Sequence, residues 1–132
     1  MNQPSGLVRL ALIQLEKLGH LGVPREALLR AAKVEERQLR DADARIPLAA
    51  VERLWRVAAE HVSDPAFGLR IGAETSVREW GLVGYAAAYS PTLGSALNRF
   101  AHYSRVVSDA LVIRIDTERD ATWVRLDVQP AL

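Results

Sequence analysis

At Asp109 the hydrophobic repeat of this sequence changes from a helical period to a period of two, and that switch limits the fold more than any other feature. Up to that point apolar residues recur at steps of three and four. Beyond it Leu111, Ile113 and Ile115 alternate with Val112, Arg114 and Asp116, and Thr122, Val124, Leu126 and Val128 alternate with Trp123, Arg125 and Asp127. Residues 118–120 join the two runs, which makes a hairpin. A two-stranded ribbon is marginal in water by itself and its open edges invite pairing, so it needs a cover. The fold class that follows is α+β: a mostly helical N-terminal part of about six helices, then a C-terminal β-hairpin belonging to an incomplete or partner-completed antiparallel sheet.

The helices can be placed from their stripes and caps. Ser5 is expected to cap a helix to about Leu18 with Val8, Ala11, Leu12, Leu15 and Leu18 on one face, ended by Gly19 and Gly22. A short helix is expected over 24–32, with Ala27, Leu28 and Ala31 inward, and a further turn around 35–40 anchored by Leu39. After the polar connector 41–45, Leu48, Val51, Leu54, Trp55, Ala58, Ala59 and Val62 mark a helix over 47–62. Asp64-Pro65 is expected to cap and start the next, carrying Phe67, Leu69 and Ile71 to the core and ending near Gly72. Residues 73–79 are polar and read as a surface loop.

The stretch 80–109 reads as two helices joined sharply at Ser90-Pro91. The second has Leu93, Ala96, Leu97, Phe100, Tyr103 and Val107 on one face and Ser95, Asn98, His102, Arg105 and Asp109 on the other. The first has almost no polar face, since Trp80, Leu82, Val83, Tyr85 and Tyr89 surround it. Such a helix is expected to be buried on most sides. Gly81, Gly84 and Ala88 lower its relief, so another backbone or a ligand can come close.

Composition excludes several functions. With 132 residues the chain is one domain or part of one, and 49% hydrophobic with 25% charged residues is ordinary globular composition. Seventeen basic residues against sixteen acidic ones leave a net charge of +1, which is not the footprint of a dedicated nucleic-acid binder. The absence of cysteine excludes disulfides and thiolate chemistry and fits a reducing cytoplasm. Arg9, Gln14, Glu16 and Lys17 interrupt the N-terminal apolar residues, so neither a secretion signal nor a membrane span is expected there.

Arg45-Ile46-Pro47, Asp64-Pro65, Gly68-Leu69, Gly81-Leu82 with Gly84-Tyr85, and Ser90-Pro91-Thr92-Leu93 occur together in this order from about Leu18 onward. In that combination the chain resembles the N-terminal effector (arabinose-binding-like) domain of AraC-type transcription regulators. It departs from the usual pattern at Lys33, where the family more often has glycine. The resemblance implies a single effector-sensing and dimerisation domain over 1–132 that continues beyond Leu132, and a C-terminal unit of two helix-turn-helix motifs that binds DNA and is absent from this sequence. It also implies an unidentified small-molecule effector, a homodimer, and no enzymatic activity. The family label names no sugar for this protein.

Trp80, Tyr85, Tyr89 and Tyr103 are the candidate ligand-binding residues. Ligand sites are mostly apolar with a few placed hydroxyls, although aromatic groups with one wet end are equally good core residues. No metal or cofactor is expected, because His20, His61 and His102 are far apart and no phosphate-binding loop occurs. Ser104 or Ser108 with His102 and Asp109 lie too close on one helix for a nucleophilic relay, and no catalytic residue is assigned. Two alternatives stay open. Residues 24–40 faintly resemble a helix-turn-helix, with Arg25, Arg30, Lys33, Arg37 and Arg40 able to meet phosphates against the interleaved Glu26, Glu35, Glu36, Asp41 and Asp43. The chain could also be a free-standing interaction module.

Overall fold

The computed structural model describes residues 3–128. It contains six α-helices and two separate two-stranded antiparallel sheets, an α+β arrangement with the helices first and a hairpin last. Among the described residues no helix is long and apolar enough to cross a membrane. Residues 1–2 and 129–132 lie outside the described residues.

The core is built by the first three helices: α1 (Val8–His20), α2 (Arg25–Ala32) and α3 (Leu48–His61). Val8, Leu18, Leu28 and Leu54 are fully buried there, each contributing about 1.5–3 kcal/mol by leaving water. More of α1 is covered than its stripe suggested, since Ile13, Gln14 and Lys17 are buried as well. Helix α2 ends on Lys33, whose φ of 55° and ψ of 45° place it in the left-handed region that favours glycine. The carbonyl of Ala32 accepts two hydrogen bonds from Arg53 of α3, at 3.0 and 2.7 Å. A cation thus sits at the negative end of α2. Beyond it Glu36–Leu39 forms only one 3-10 turn, with Leu39 buried beneath.

Ser5 does not cap α1. It lies in a three-residue strand, β1 (Ser5–Leu7), paired antiparallel with β2 (Arg45–Pro47), and α1 starts at Val8 without a side-chain cap. The Ser5 amide and hydroxyl instead donate to the Asp109 carboxylate at 2.6 and 2.8 Å, and Arg45 donates to the Ser5 hydroxyl and carbonyl, the Val106 carbonyl and Asp109. Gly6 also bridges to Ser108. The start of the chain is therefore tied to the junction at which helix gives way to strand.

Two other cap expectations are displaced by a residue or more. Helix α4 (Phe67–Glu74) begins after Ala66, while Asp64 accepts from the Ala66 amide and from Arg70. Leu69, expected in the core, is 80% exposed; Ile71 is the residue that α4 buries. The segment expected to be a polar loop is part helix, because α4 runs to Glu74 and Val77–Trp80 forms a 3-10 turn with a Ser76/Glu79 capping box. Helix α5 (Leu82–Ala88) follows, then α6 (Leu93–Val107), capped by Thr92 and Ser95 rather than by Ser90.

Helix α5 is not buried on most sides. Val83, Gly84 and Ala87 face inward, while Tyr85, Ala88 and Tyr89 are exposed and Leu82 is 83% exposed. The close approach expected from its glycines is real, and the approaching group is backbone: a Cβ on Gly84 would lie 1.7 Å from the Val77 carbonyl oxygen. On α6 the buried residues are Ser104 and Val107, with Ala96, Leu97 and Phe100 half-buried and Leu93 and Tyr103 exposed.

The hairpin is formed by β3 (Leu111–Glu118) and β4 (Ala121–Val128), in register from Leu111 opposite Val128 to Glu118 opposite Ala121, with Arg119 turning at a positive φ of 48°. Arg114 stands opposite Arg125, and the like charges are offset diagonally by Asp127 and Asp116, at 3.6 and 3.2 Å. Strand β3 lies against α6, and every residue of β4 is exposed.

Candidate ligand-binding cavity

A cavity of about 370 Å³ opens where α1, α3 and α4 meet the base of the hairpin. Helix α1 contributes Leu10, Ile13 and Gln14, and α3 contributes Leu48, Val51 and Trp55. Ile71 of α4 and Trp80 of the 3-10 turn form a further wall, and Ser108, Leu111 and Val128 close the end near the hairpin. Trp55 is held by the tilted ring of Phe67 at 5.7 Å, and Trp80 by the edge-on ring of Phe100 at 5.8 Å. The volume falls in the range of small-molecule sites.

Two features of the lining bear on chemistry. Gly68 and Gly72, one turn apart on α4, both border the cavity, and a Cβ built on either would meet nothing within 4 Å. They are required neither by a positive φ nor by close packing, and each weakens the helix by about 1 kcal/mol relative to alanine. Both are exposed, so they stand where the cavity opens to solvent. The second feature is polarity: among the described residues, none that lines the cavity is ionisable. The Thr75 hydroxyl donates to the Ile71 carbonyl at 2.6 Å, and the Ser108 hydroxyl accepts from the Ala110 amide at 3.4 Å. Gln14 is buried, and its Oε1 has no hydrogen-bond partner among the described residues.

The residue before Trp80, Glu79, is paired with a buried cation. The Glu79 carboxylate accepts from the Ser76 amide and lies 3.1 Å from the buried Lys17 ammonium. The Ser76 amide first, then Lys17, hold Glu79 below the usual carboxylate range, and the hydrogen bond to Glu79 raises Lys17 above its usual value against the opposing effect of burial. Gly81 follows at a φ of 65°, with Arg9 Nε only 2.8 Å from where a Cβ would stand. A smaller hollow of about 250 Å³ lies on the other side of Trp80, bordered by Arg9 and Asp43, which pair at 2.8 Å, and by Leu7, Leu82, Val83 and Val106.

Of the four aromatic residues singled out in the sequence, Trp80 lines both hollows. Tyr85 and Tyr89 are brought together, stacked at 6.4 Å with planes 12° apart, on the outer surface; Tyr103 is also exposed, edge-on to His102 at 4.7 Å. None of the three tyrosines lines either hollow. Sequence reading missed Gln14, Trp55, Gly68 and Gly72 as a group. The available signals were a carboxamide among apolar neighbours on α1 and a pair of glycines four apart inside a helix.

In the segment 24–40 the second element is a four-residue 3-10 turn, too short to serve as a recognition helix. Two of its arginines are engaged by carboxylates: Arg25 meets Glu36 at 2.7 Å and Arg37 meets Glu35 at 2.6 Å. Pairing raises Arg25 and lowers Glu36 from their ordinary values.

A helical bundle with an apolar, uncharged cavity beside the base of a hairpin has the form of a binding domain, and comparison with known proteins gives its family. The family described as the arabinose-binding domain of AraC transcription regulators, N-terminal, matches residues 22–132. The chain belongs to this family. It is also similar to an ornithine utilization regulator from Pseudomonas aeruginosa, 31% identical over 101 residues. That similarity covers 76% of this chain and 30% of the relative, so the chain spans about a third of the relative's length.

Proposed function

We propose that this chain is the effector-sensing domain of an AraC-type bacterial transcription regulator, that a small molecule occupies the cavity walled by Trp80, and that its binding biases a DNA-binding unit outside this sequence. The observation that carries the reading is the cavity itself, apolar and lined by Trp55 and Trp80. The proposed role is regulatory, without catalysis, in the cytoplasm. Ornithine in the relative's name describes that protein, and no effector is transferred from it. Bound effector acts only through its difference in affinity for two arrangements of the protein; a tenfold shift needs about 1.4 kcal/mol of such difference.

Of the four aromatic candidates, we place Trp80 against the effector. Tyr85, Tyr89 and Tyr103 then belong to a surface for self-association into a homodimer, together with exposed Leu82 and Leu93. A patch of that kind marks interaction sites, and sedimentation equilibrium at micromolar concentration tests it directly.

The sensing reading is tested by a thermal-shift screen of small molecules against the wild-type chain and Gly72→Leu. The substitution puts a large side chain at the cavity's border while removing a glycine from a helix, so the variant is expected to be as stable as the wild type or more so. Ligands that stabilise the wild type and leave Gly72→Leu unmoved support the site. A ligand that stabilises both equally binds elsewhere and removes the assignment.

A further inference from the structure

Resting on the sensing reading above, we infer that the cavity takes an uncharged ligand of about a dozen heavy atoms, an apolar body bearing one polar group that pairs with the Gln14 carboxamide. The size follows from a volume of about 370 Å³, or about twelve volumes of roughly 30 Å³, the share of one water molecule in the liquid. The lack of charge follows from the lining. A carboxylate or ammonium carried inside would find no counter-charge, because Lys17 and Glu79 satisfy each other behind Trp80 and neither lines the cavity. Burying an unpaired ion is costly enough that such ligands are rejected.

The polar group follows from Gln14. Only 5% of this residue is exposed, and its Oε1 has no partner. An amide left unsatisfied in the interior lowers stability, and a leucine of similar size would fill the same place without that cost. The Thr75 hydroxyl donates to a backbone carbonyl and the Ser108 hydroxyl accepts from a backbone amide. Gln14 is the buried polar group of the lining whose oxygen has no partner among the described residues, and an amide offers an acceptor and a donor across one rotatable bond. The apolar walls, with Trp55 and Trp80 among them, suit a ring system.

Three probes with one ring system separate the possibilities: naphthol, naphthalene and naphthoate, titrated calorimetrically into the full chain and into two variants. The wild type is expected to bind naphthol about tenfold more tightly than naphthalene and to ignore naphthoate at the same concentration. Gln14→Leu is expected to fold and to bring naphthol and naphthalene within about twofold of each other. If the leucine variant does not fold, Gln14→Met, unbranched and closer in shape, replaces it. Gly72→Leu is expected to abolish binding of every probe. An unchanged preference for naphthol in the Gln14 variant overturns the proposed pairing and leaves the cavity reading intact. Naphthoate binding that Gly72→Leu abolishes overturns the uncharged class and again leaves the cavity as the site. Failure of all three probes to bind in a manner sensitive to Gly72→Leu overturns the cavity reading and this inference with it.

Discussion

The half of the molecule formed by α1, α2 and α3 and the half formed by α5, α6 and the hairpin both carry large apolar side chains, and they dispose of them in opposite ways. In the first, Leu18, Leu28 and Leu54 vanish from solvent. In the second, Leu82, Leu93, Trp123, Leu126 and Val128 are exposed. The first half owes its stability to burial, and the second depends on a few specific contacts. The Ser5–Arg45–Asp109 network and the Lys17–Glu79 ion pair tie it to the first, and within it Gly84 seats α5 on the Val77 carbonyl and β3 packs on α6. The candidate cavity lies at the border between the halves, where its walls come from both.

The sharpest way to break this contrast is to remove one of the contacts on which the second half depends. Gly84→Ala places a methyl group against the Val77 carbonyl, and backbone cannot step aside as a flexible side chain can. Loss of about 3 kcal/mol or more is expected, with α5 displaced. Chemical denaturation measures the loss, and a cost below about 1 kcal/mol would mean that α5 is not seated as described.

Leu54→Ala probes the other half. Leu54 is fully buried in α3, and its truncation is expected to cost about 2–5 kcal/mol, depending on how far the core collapses around the gap. The cooperative transition should shift as a whole, since the cost falls on the core to which the second half is attached.

A smaller effect is expected at the tie between the chain's start and the end of α6. Burial alone would raise the Asp109 carboxyl, but the amide and hydroxyl of Ser5 and the nearby Arg45 outweigh it and hold the group below its ordinary value of 3.8. A carboxylate whose folded value is depressed stabilises the fold at every pH above its unfolded value and loses that contribution as pH falls through the folded one. Asp109→Asn should therefore cost about 1 kcal/mol at neutral pH, discounted for the exposure of the pair. The difference from wild type should shrink below pH 3.8 and disappear in stronger acid. A pH-independent difference would show that geometry and not charge accounts for the tie.

The contrast between the halves also explains what could be read from the sequence. The stripes of α1 and α3 were legible because hydrophobic period and burial coincide there, and the hairpin because its alternation changes the period. The strands β1 and β2 were not, since three residues carry no period and their pairing depends on contacts forty residues apart. Ser5 looked like a cap because a hydroxyl before an apolar run usually is one; here long-range partners outcompete the local amides. Tyr85, Leu82 and Leu93 were read as interior because apolar residues at helical spacing usually find cover, and in this half they do not. Trp80 was visible as an aromatic beside glycines. Gln14, Gly68 and Gly72 were not, because emptiness between three helices has no signature in any one of them.

The smallest expected effect tests that last point from the opposite direction. Leu93 begins α6 on the face that its period marks as core, yet it is 75% exposed. Leu93→Ala removes little buried surface and leaves the helix a residue of better propensity, so stability should change by less than about 0.5 kcal/mol. Leu54→Ala, the same change of side chain on a helix of similar pattern, supplies the reference. If Leu93→Ala instead costs as much as Leu54→Ala, and the cost falls on dilution, then the exposed half is covered in solution by a second copy of the chain. If the cost is large and independent of concentration, Leu93 packs within the monomer and the contrast between the halves is lost.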